Sequence, residues 1–241
     1  MEPKLIPIGQ TAIRLGVSID TLRRWDETGK LKAIRKSSGG IRYYSENDIY
    51  LLTHNISKLA LEWAFSSSPV EIPLTFYCSN SSIFQARLAK MQGELAIASS
   101  ADKILSLLVA IAGEIGNNSF DHNLGNWPDL PGIFFGYDLN KKEIVLADRG
   151  IGILKTLKRV KPGLDNHKDA LKTAFTEIIS GRSPEARGNG LKFVRKVVAE
   201  NPISLFFQSG DAELNMIKKT SDLNITDAKQ SVHGCVAIIK Y

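Results

Sequence analysis

The sequence predicts an α+β chain of two domains, a small N-terminal one and a larger C-terminal one, on three observations. Short helical patterns and turn glycines fill the chain up to about Asn55; the stretch Ser66-Ser67-Ser68-Pro69, followed by Pro73, breaks that pattern; and beyond it long helical periodicities alternate with strand-like runs. The boundaries read this way are 1–66 for the first domain, 67–80 for a linker or first strand, and 81–241 for the second.

Composition agrees with a folded chain. Of the 241 residues 43% are hydrophobic and 23% charged, enough to bury a core and outside the range of disordered sequences. The net charge of +6 favours polyanionic partners, and most of it is concentrated early: up to Lys58 there are ten basic against six acidic residues. Cys78 and Cys235 lie far apart, outside any metal-ligand spacing, and read as reduced thiols. The start, MEPKLIPIGQ, lacks the apolar run of a signal peptide, and no stretch approaches the roughly 20 apolar residues needed to span a bilayer. The expectation is a cytoplasmic protein without membrane association.

In the first domain Ile8, Ala12 and Leu15 share a helical face, Gly16 permits a sharp turn, and Ser18 can cap a second helix with Asp20 in its first turn. Leu22 and Trp25 can then pack on the first helix, which leaves Thr21, Arg23 and Arg24 facing outward, where they can reach phosphates or base edges. A basic ribbon follows: Lys30, Lys32, Arg35 and Lys36 lead into Ser38-Gly39-Gly40, and Arg42-Tyr43-Tyr44 returns. Ser45-x-x-Asp48 opens a further helix as a capping box. The run GVSIDTLRRWDETGKLKAIRKSSGGIRYYSENDI resembles the MerR and excisionase winged helix-turn-helix family. The resemblance implies double-stranded DNA as partner, contacted by the second helix and the wing; the candidate residues are Thr21, Arg23, Arg24, Lys36, Arg42 and Tyr43. MerR regulators usually dimerise through a long helix after this unit, whereas Ile56 to Phe65 is short, so a homodimer stays open.

The second domain is expected to contain helices at Ile83–Ala98 and Asp102–His122, with Ser99 and Ser100 as caps between them. Strands are read at Gly132–Tyr137 and Glu143–Ala147, a basic mobile segment with one helix near Asp169–Ile179, a helix at Gly190–Ala199, and strands at Ile203–Gln208, Glu213–Ile217 and Cys235–Lys240.

Three motifs fall on these elements in order. In Glu114-Ile115-Gly116-Asn117-Asn118-Ser119-Phe120-Asp121-His122, residues four and seven apart share a helical face, so Glu114, Asn118 and Asp121 point the same way. A carboxamide oxygen suits the oxygen shell of Mg²⁺, and a neighbouring carboxylate can orient or deprotonate water. Asp148-Arg149-Gly150-Ile151-Gly152 follows directly on a strand, where its glycines let backbone approach a ligand. Gly188-Asn189-Gly190-Leu191 opens a helix whose free amides suit a phosphate.

Together the motifs EIGNNSFDHN, DRGIGI and GNGLKFVRKVV resemble the gyrase, chaperone, histidine kinase and MutL (GHKL) ATPase superfamily over roughly residues 80–241. The resemblance implies a two-layer α/β sandwich of the histidine-kinase ATPase type that holds ATP with Mg²⁺. It also assigns roles: Glu114 as the water-activating carboxylate, Asn118 as the Mg²⁺ ligand, Asp148 as the acceptor for the adenine amino group, and Gly150, Gly152, Gly188 and Gly190 as the closures of the backbone. Asp121 and Leu191 complete the nucleotide set. The segment between the second and third motifs would be the ATP lid, rich in lysine and arginine, with Arg187 the first candidate for the triphosphate. Relatives commonly carry Gly-Thr before the last strand, where this chain has Gly234-Cys235, so a hydroxyl beside the adenine carboxylate is missing from that position.

Two functions are carried forward. The first is a DNA-binding transcriptional regulator that senses or slowly hydrolyses ATP; the alternative is an anti-sigma or histidine-kinase-like protein kinase acting on a protein partner. A gyrase- or MutL-like clamp needs a following domain that supplies a lysine to the γ-phosphate.

Overall fold

The computed structural model describes residues 4–37, 39–98, 104–178 and 189–241. Ser38, Ser99, Ser100, Asp102, Ile179, Gly181, Arg182, Pro184, Arg187 and Gly188 lie outside the described residues. The chain divides into two compact units, Met1–Ile56 and Ser57–Tyr241. That division precedes the serine-proline stretch, because Ile56–Phe65 forms a helix whose Ala60, Trp63 and Ala64 are fully buried and whose C-terminal end is bonded to Arg149 of the second unit.

In the first unit, helix α1 (Ile8–Leu15) ends at Gly16, whose φ of 64° is the left-handed conformation that lets two carbonyls be met. Val17 N–H donates to Ala12 O at 3.1 Å and Gly16 N–H to Ile13 O at 3.2 Å. Helix α2 (Ile19–Glu27) is capped by Ser18, whose hydroxyl accepts from Thr21 N–H at 3.1 Å. Strands β1 (Leu5–Pro7), β2 (Ile34–Arg35) and β3 (Arg42–Ser45) form an antiparallel sheet in the order β1-β3-β2. Helix α3 (Glu46–Thr53) follows, with Asp48 N–H donating to Ser45 Oγ at 3.5 Å. Leu22, Leu31, Tyr44 and Ile49 form the small core, flanked by Ile8, Leu15 and Trp25, and Tyr44 Oη donates to Leu22 O at 3.1 Å.

The second unit begins with α4 (Ile56–Phe65) and is built on an antiparallel sheet in the order β4-β5-β6-β8-β7 among the described residues. Its strands are β4 (Tyr77–Cys78), β5 (Ile133–Asp138), β6 (Glu143–Asp148), β7 (Ser204–Met216) and β8 (Asn224–Lys240). The register aligns Phe135, Leu146, Ala237 and Phe207 in one cross-strand row. On that row pack α5 (Ser81–Ala98) through Phe84 and Met91, α6 (Ile104–Asn123) through Leu108, Ile111 and Ile115, α8 (His167–Thr176) through Leu171 and Phe175, and α9 (Gly190–Glu200) through Val194 and Val198. The adjacent row, Phe134, Ala147, Val236 and Gln208, faces the other way and is also buried, with Phe76 stacked on Phe134 at 5.3 Å.

Two expectations are corrected. Ile203–Gln208 and Glu213–Ile217 belong to one strand, β7, which continues through a bulge at Ser209 and Gly210. Gly210 has φ 58°, so the break in alternation marks a kink within a strand instead of its end. The basic segment after Gly150 holds a further helix, α7 (Gly152–Lys158), before α8; its Leu157 packs with Leu164 and Ala170 in a satellite cluster. Pro162 and Gly163 obscure this helix in the sequence, because it is short and ends just before them. No helix of the described residues is long and apolar enough to cross a membrane.

Candidate functional site

The wing of the first unit is fixed to α2 by one carboxylate. Asp26 accepts from Arg42 Nε at 2.8 Å, Arg35 Nη2 at 2.9 Å and the Ala33 amide at 3.0 Å. Burial would raise its pKa, but the bonds from Arg42, Ala33 and Arg35 outweigh it and bring it down to about 2. Arg42, expected among the DNA contacts, is thus half-buried in an internal ion pair. Arg23 and Arg24 are exposed on α2, Arg23 with its Nη1 2.8 Å from Asp20 Oδ1, and Thr21 is half-buried at the N-terminal turn. Lys36 lies 5.2 Å from the Tyr43 ring and Lys30 lies 4.1 Å from Trp25, so aromatic faces hold the ammonium groups near the wing and the end of α2. Arg23, Arg24, Arg35, Lys36 and Lys30 remain exposed cations on these two elements.

Residues 7–44 match the family model for MerR family regulatory proteins. The N-terminal unit therefore carries a MerR-type helix-turn-helix, and a module of this type points to a DNA-binding regulator. No curated protein matches the chain.

In the second unit, elements distant in sequence meet around the ends of α6 and β6. Asp148, the last residue of β6, is 2% exposed. Its Oδ2 accepts from Ser119 Oγ at 2.8 Å and its Oδ1 from the Gly150 amide at 2.9 Å. Burial dominates and pushes the carboxyl up to about 6, although Ser119 and the Gly150 and Cys235 backbones oppose it. On the next turn of α6, Asn123 Oδ1 accepts from Ile151 N–H at 2.8 Å while its Nδ2 donates to Ser119 O at 2.7 Å, tying the Gly150 loop to the helix. A side chain at Gly150 would strike the Asn123 carboxamide at 2.1 Å.

From the neighbouring strand β8, Gly234 closes on the same carboxylate. With φ 68°, it brings β8 so near that a Cβ there would lie 2.2 Å from Asp148 Oδ1 and 2.6 Å from Gly150 N. Ser209 accepts from the Ile153 amide at 3.0 Å, holding the start of α7, and donates to Gly234 O at 3.2 Å. Gly152, with φ 73°, leaves room for that hydroxyl.

The third motif reaches the first. A Cβ at Gly190 would lie 2.6 Å from Glu114 Oε2 and 3.3 Å from Asn118 Nδ2, so the first turn of α9 stands against the polar face of α6. Glu114 is exposed, Asn118 half-buried and Asp121 exposed. Leu191 is half-buried and packs against the main core. In the basic segment after Gly152, Lys161 pairs with Glu177 at 2.7 Å and Lys168 with Asp227 at 2.9 Å; Arg182, Arg187 and Gly188 lie outside the described residues.

Ser119, Asn123, Ser209 and Arg149 are structurally central and have no role in the sequence reading. Ser119 and Asn123 are four apart and share a helical face, a spacing that could have singled them out. Arg149 is fully buried and donates to Asp129 Oδ2 at 2.9 Å from Nε and 2.6 Å from Nη2, to Trp63 O, and to Ser66 Oγ at 3.1 Å.

Proposed function

We propose that the chain is a DNA-binding transcriptional regulator whose second unit is a GHKL-type domain that binds ATP with Mg²⁺. The observation that carries this reading is the meeting of three separated motifs: Gly190 stands against Glu114 and Asn118, and Ser119 of the same helix is bonded to Asp148.

The residues fit the group. Asp148 offers a buried carboxylate, held from two sides by the close approach of Gly150 and Gly234, as an acceptor for an amino group on a flat purine. Asn118 offers a carboxamide oxygen for Mg²⁺, which keeps several waters and binds through substrate phosphates instead of a full protein cage. When bound, Mg²⁺ supplies charge neutralisation between the phosphates. Glu114, exposed on the same face, can orient a water or take its proton. Asn189 and Gly190 place the first amides of α9 beside this face, where a helix N-terminus favours phosphate.

The exposed cations on α2 and the wing suit the DNA backbone, and the Asp26 contacts hold those two elements at a fixed spacing.

Calorimetric titration with ATP and Mg²⁺ tests the nucleotide reading. Wild-type protein should bind, Asp148→Asn should lose binding, and Glu114→Ala should bind while losing turnover. Mg²⁺-dependent binding that ignores Asp148→Asn would reject the assignment. For DNA, Arg23→Ala with Arg24→Ala should weaken duplex binding and flatten its salt dependence by about two in slope. Unchanged duplex binding by that variant would reject the interface.

A further inference from the structure

Arg149 follows the carboxylate of the second motif by one residue, yet its side chain is engaged elsewhere. It is fully buried, and its donors go to Asp129, to the Trp63 carbonyl at the C-terminal end of α4, and to Ser66 just beyond that helix. Ser66 Oγ in turn donates to Trp63 O at 2.9 Å, so the arginine grips a compact helix end. Its guanidinium carbon lies 5.9 Å from the Trp63 ring centre.

A buried guanidinium is an expensive way to fill space, and an apolar side chain of similar volume often serves stability as well or better. What it supplies instead is directional connection: several donors in a rigid fork fix one backbone relative to another. The two backbones joined here are the Gly150 loop and α4. Helix α4 starts at Ile56, the last residue of the N-terminal unit, so it is the covalent lead from the helix-turn-helix into the second unit. The Trp63 ring is itself fully buried, and its Nε1 has no hydrogen-bond partner among the described residues. A packed indole with an unmet donor next to a charged fork leaves one donor uncommitted beside the bonds that fix the end of α4.

We propose that Arg149 is a positioning residue that couples nucleotide occupancy at Asp148 to DNA affinity, by transmitting displacement of the Gly150 loop to the C-terminal end of α4. This rests on the nucleotide reading above and names the route by which that site is read. The Gly150 amide bonds the Asp148 carboxylate directly, so a purine amino group arriving at Asp148 competes for the same oxygens and shifts the peptide that carries Arg149. Because Asp129 and the Trp63 carbonyl hold the guanidinium, the shift pulls on α4 instead of dissipating in a side chain.

The test uses the full chain and a labelled duplex selected from a random pool by the nucleotide-free protein. Two quantities are measured for each variant: ATP affinity with Mg²⁺, and the change in duplex affinity when ATP is saturating. Wild-type protein should bind ATP and change its duplex affinity by at least about fivefold, the lower end of allosteric coupling. Arg149→Met combined with Asp129→Asn, which removes both charges together, should keep ATP affinity within about threefold of wild type and reduce the change in duplex affinity to less than twofold. Ser66→Ala, which leaves the Gly150 loop untouched, should reduce the coupling in part. A merely structural arginine would lower stability in these variants and leave the coupling ratio where it was.

The proposal is overturned if the double variant folds, binds ATP and keeps the full ATP-dependent change, or if the wild type binds ATP without any change in duplex affinity. Should the double variant fail to fold, full coupling in Ser66→Ala overturns it and reduced coupling supports it. Absence of ATP binding in the wild type removes the nucleotide reading first and this inference with it.

Discussion

Ser119 Oγ donates a 2.8 Å hydrogen bond to Asp148 Oδ2, so one hydroxyl joins the helix presenting Glu114 and Asn118 to the strand end presenting the buried carboxylate. Cys235, inside β8 and paired with Asp148 in the register, lies on the other flank, its thiol 3.5 Å from Ser209 Oγ. Ser119→Ala leaves Asp148 with only backbone donors in a dry setting, at a cost of about 1–3 kcal/mol. Thermal melts should register that loss, and ATP affinity should fall about tenfold, with Ser119→Thr restoring both. An alanine variant with wild-type ATP affinity would separate this hydroxyl from purine recognition.

Burial pushes the Asp148 carboxyl up to about 6 in the folded chain, from the ordinary aspartate value of 3.8. A folded pKa above the unfolded one means that the folded state holds the proton more tightly. The stability from this group is therefore complete below about pH 4 and lost as the pH rises through 6, an effect of about 3 kcal/mol at most. Nucleotide affinity should move the opposite way, because an amino group needs the ionised carboxylate as acceptor. ATP binding should be level from pH 7 to 8 and fall up to about tenfold per pH unit below 6. Calorimetry across that range checks it, and a flat profile through pH 5 would contradict the role of Asp148.

Gly190→Ala probes the approach of α9 to α6. Its Cβ would lie 2.6 Å from Glu114 Oε2, the far end of an exposed and flexible side chain, and 3.3 Å from Asn118 Nδ2. Glu114 can swing away at little cost, and alanine is a better helix former than glycine by about 1 kcal/mol, so the melting temperature should hold or rise. ATP turnover should nevertheless fall at least about tenfold, since the role proposed for Glu114 needs its carboxylate where it now stands. A steady-state phosphate-release assay beside a thermal melt distinguishes these effects, and unchanged turnover would place Glu114 outside the reaction.

Much of this architecture is legible because it is written in local periodicities. Leu108, Ile111 and Ile115 recur at helical spacing and are all buried on α6; Gly16 followed by Ser18 announces a helix end and a helix start, and both caps are formed. The β5–β6 hairpin is equally local, two apolar runs around a polar turn. What escapes the sequence depends on long-range partners. A glycine within a strand looks like its end unless the pairing across the bulge is known, as at Gly210 in β7. Arg149 reads as a neutral letter of its motif because Asp129 and Trp63, the residues that give it meaning, lie 20 and 86 positions away. The face carrying Glu114 and Asn118 follows from helical angles alone, whereas the adjacent face carrying Ser119 and Asn123 gains significance only once β6 is placed against it.

The Asp26 anchor makes a prediction for the first unit that is independent of any nucleotide. Its carboxyl is held at about 2 in the folded chain, below the ordinary aspartate value of 3.8, because the bonds from Arg42, the Ala33 amide and Arg35 overcome the effect of burial. A folded pKa below the unfolded one gives stability that is present above about pH 4 and lost as the pH falls through 2, worth about 2 kcal/mol. Asp26→Asn removes the charge while keeping the shape, so it should lower stability by about that amount at pH 7 and little at pH 2. It also unfastens Arg35 and Arg42 from α2, so the wing loses its fixed spacing from the helix. Duplex binding by this variant should weaken even though the net positive charge has risen, the reverse of what charge alone predicts. Anisotropy titrations at two salt concentrations, read beside thermal melts at pH 7, check both parts: tighter duplex binding in Asp26→Asn would mean that the wing needs no anchor to engage DNA.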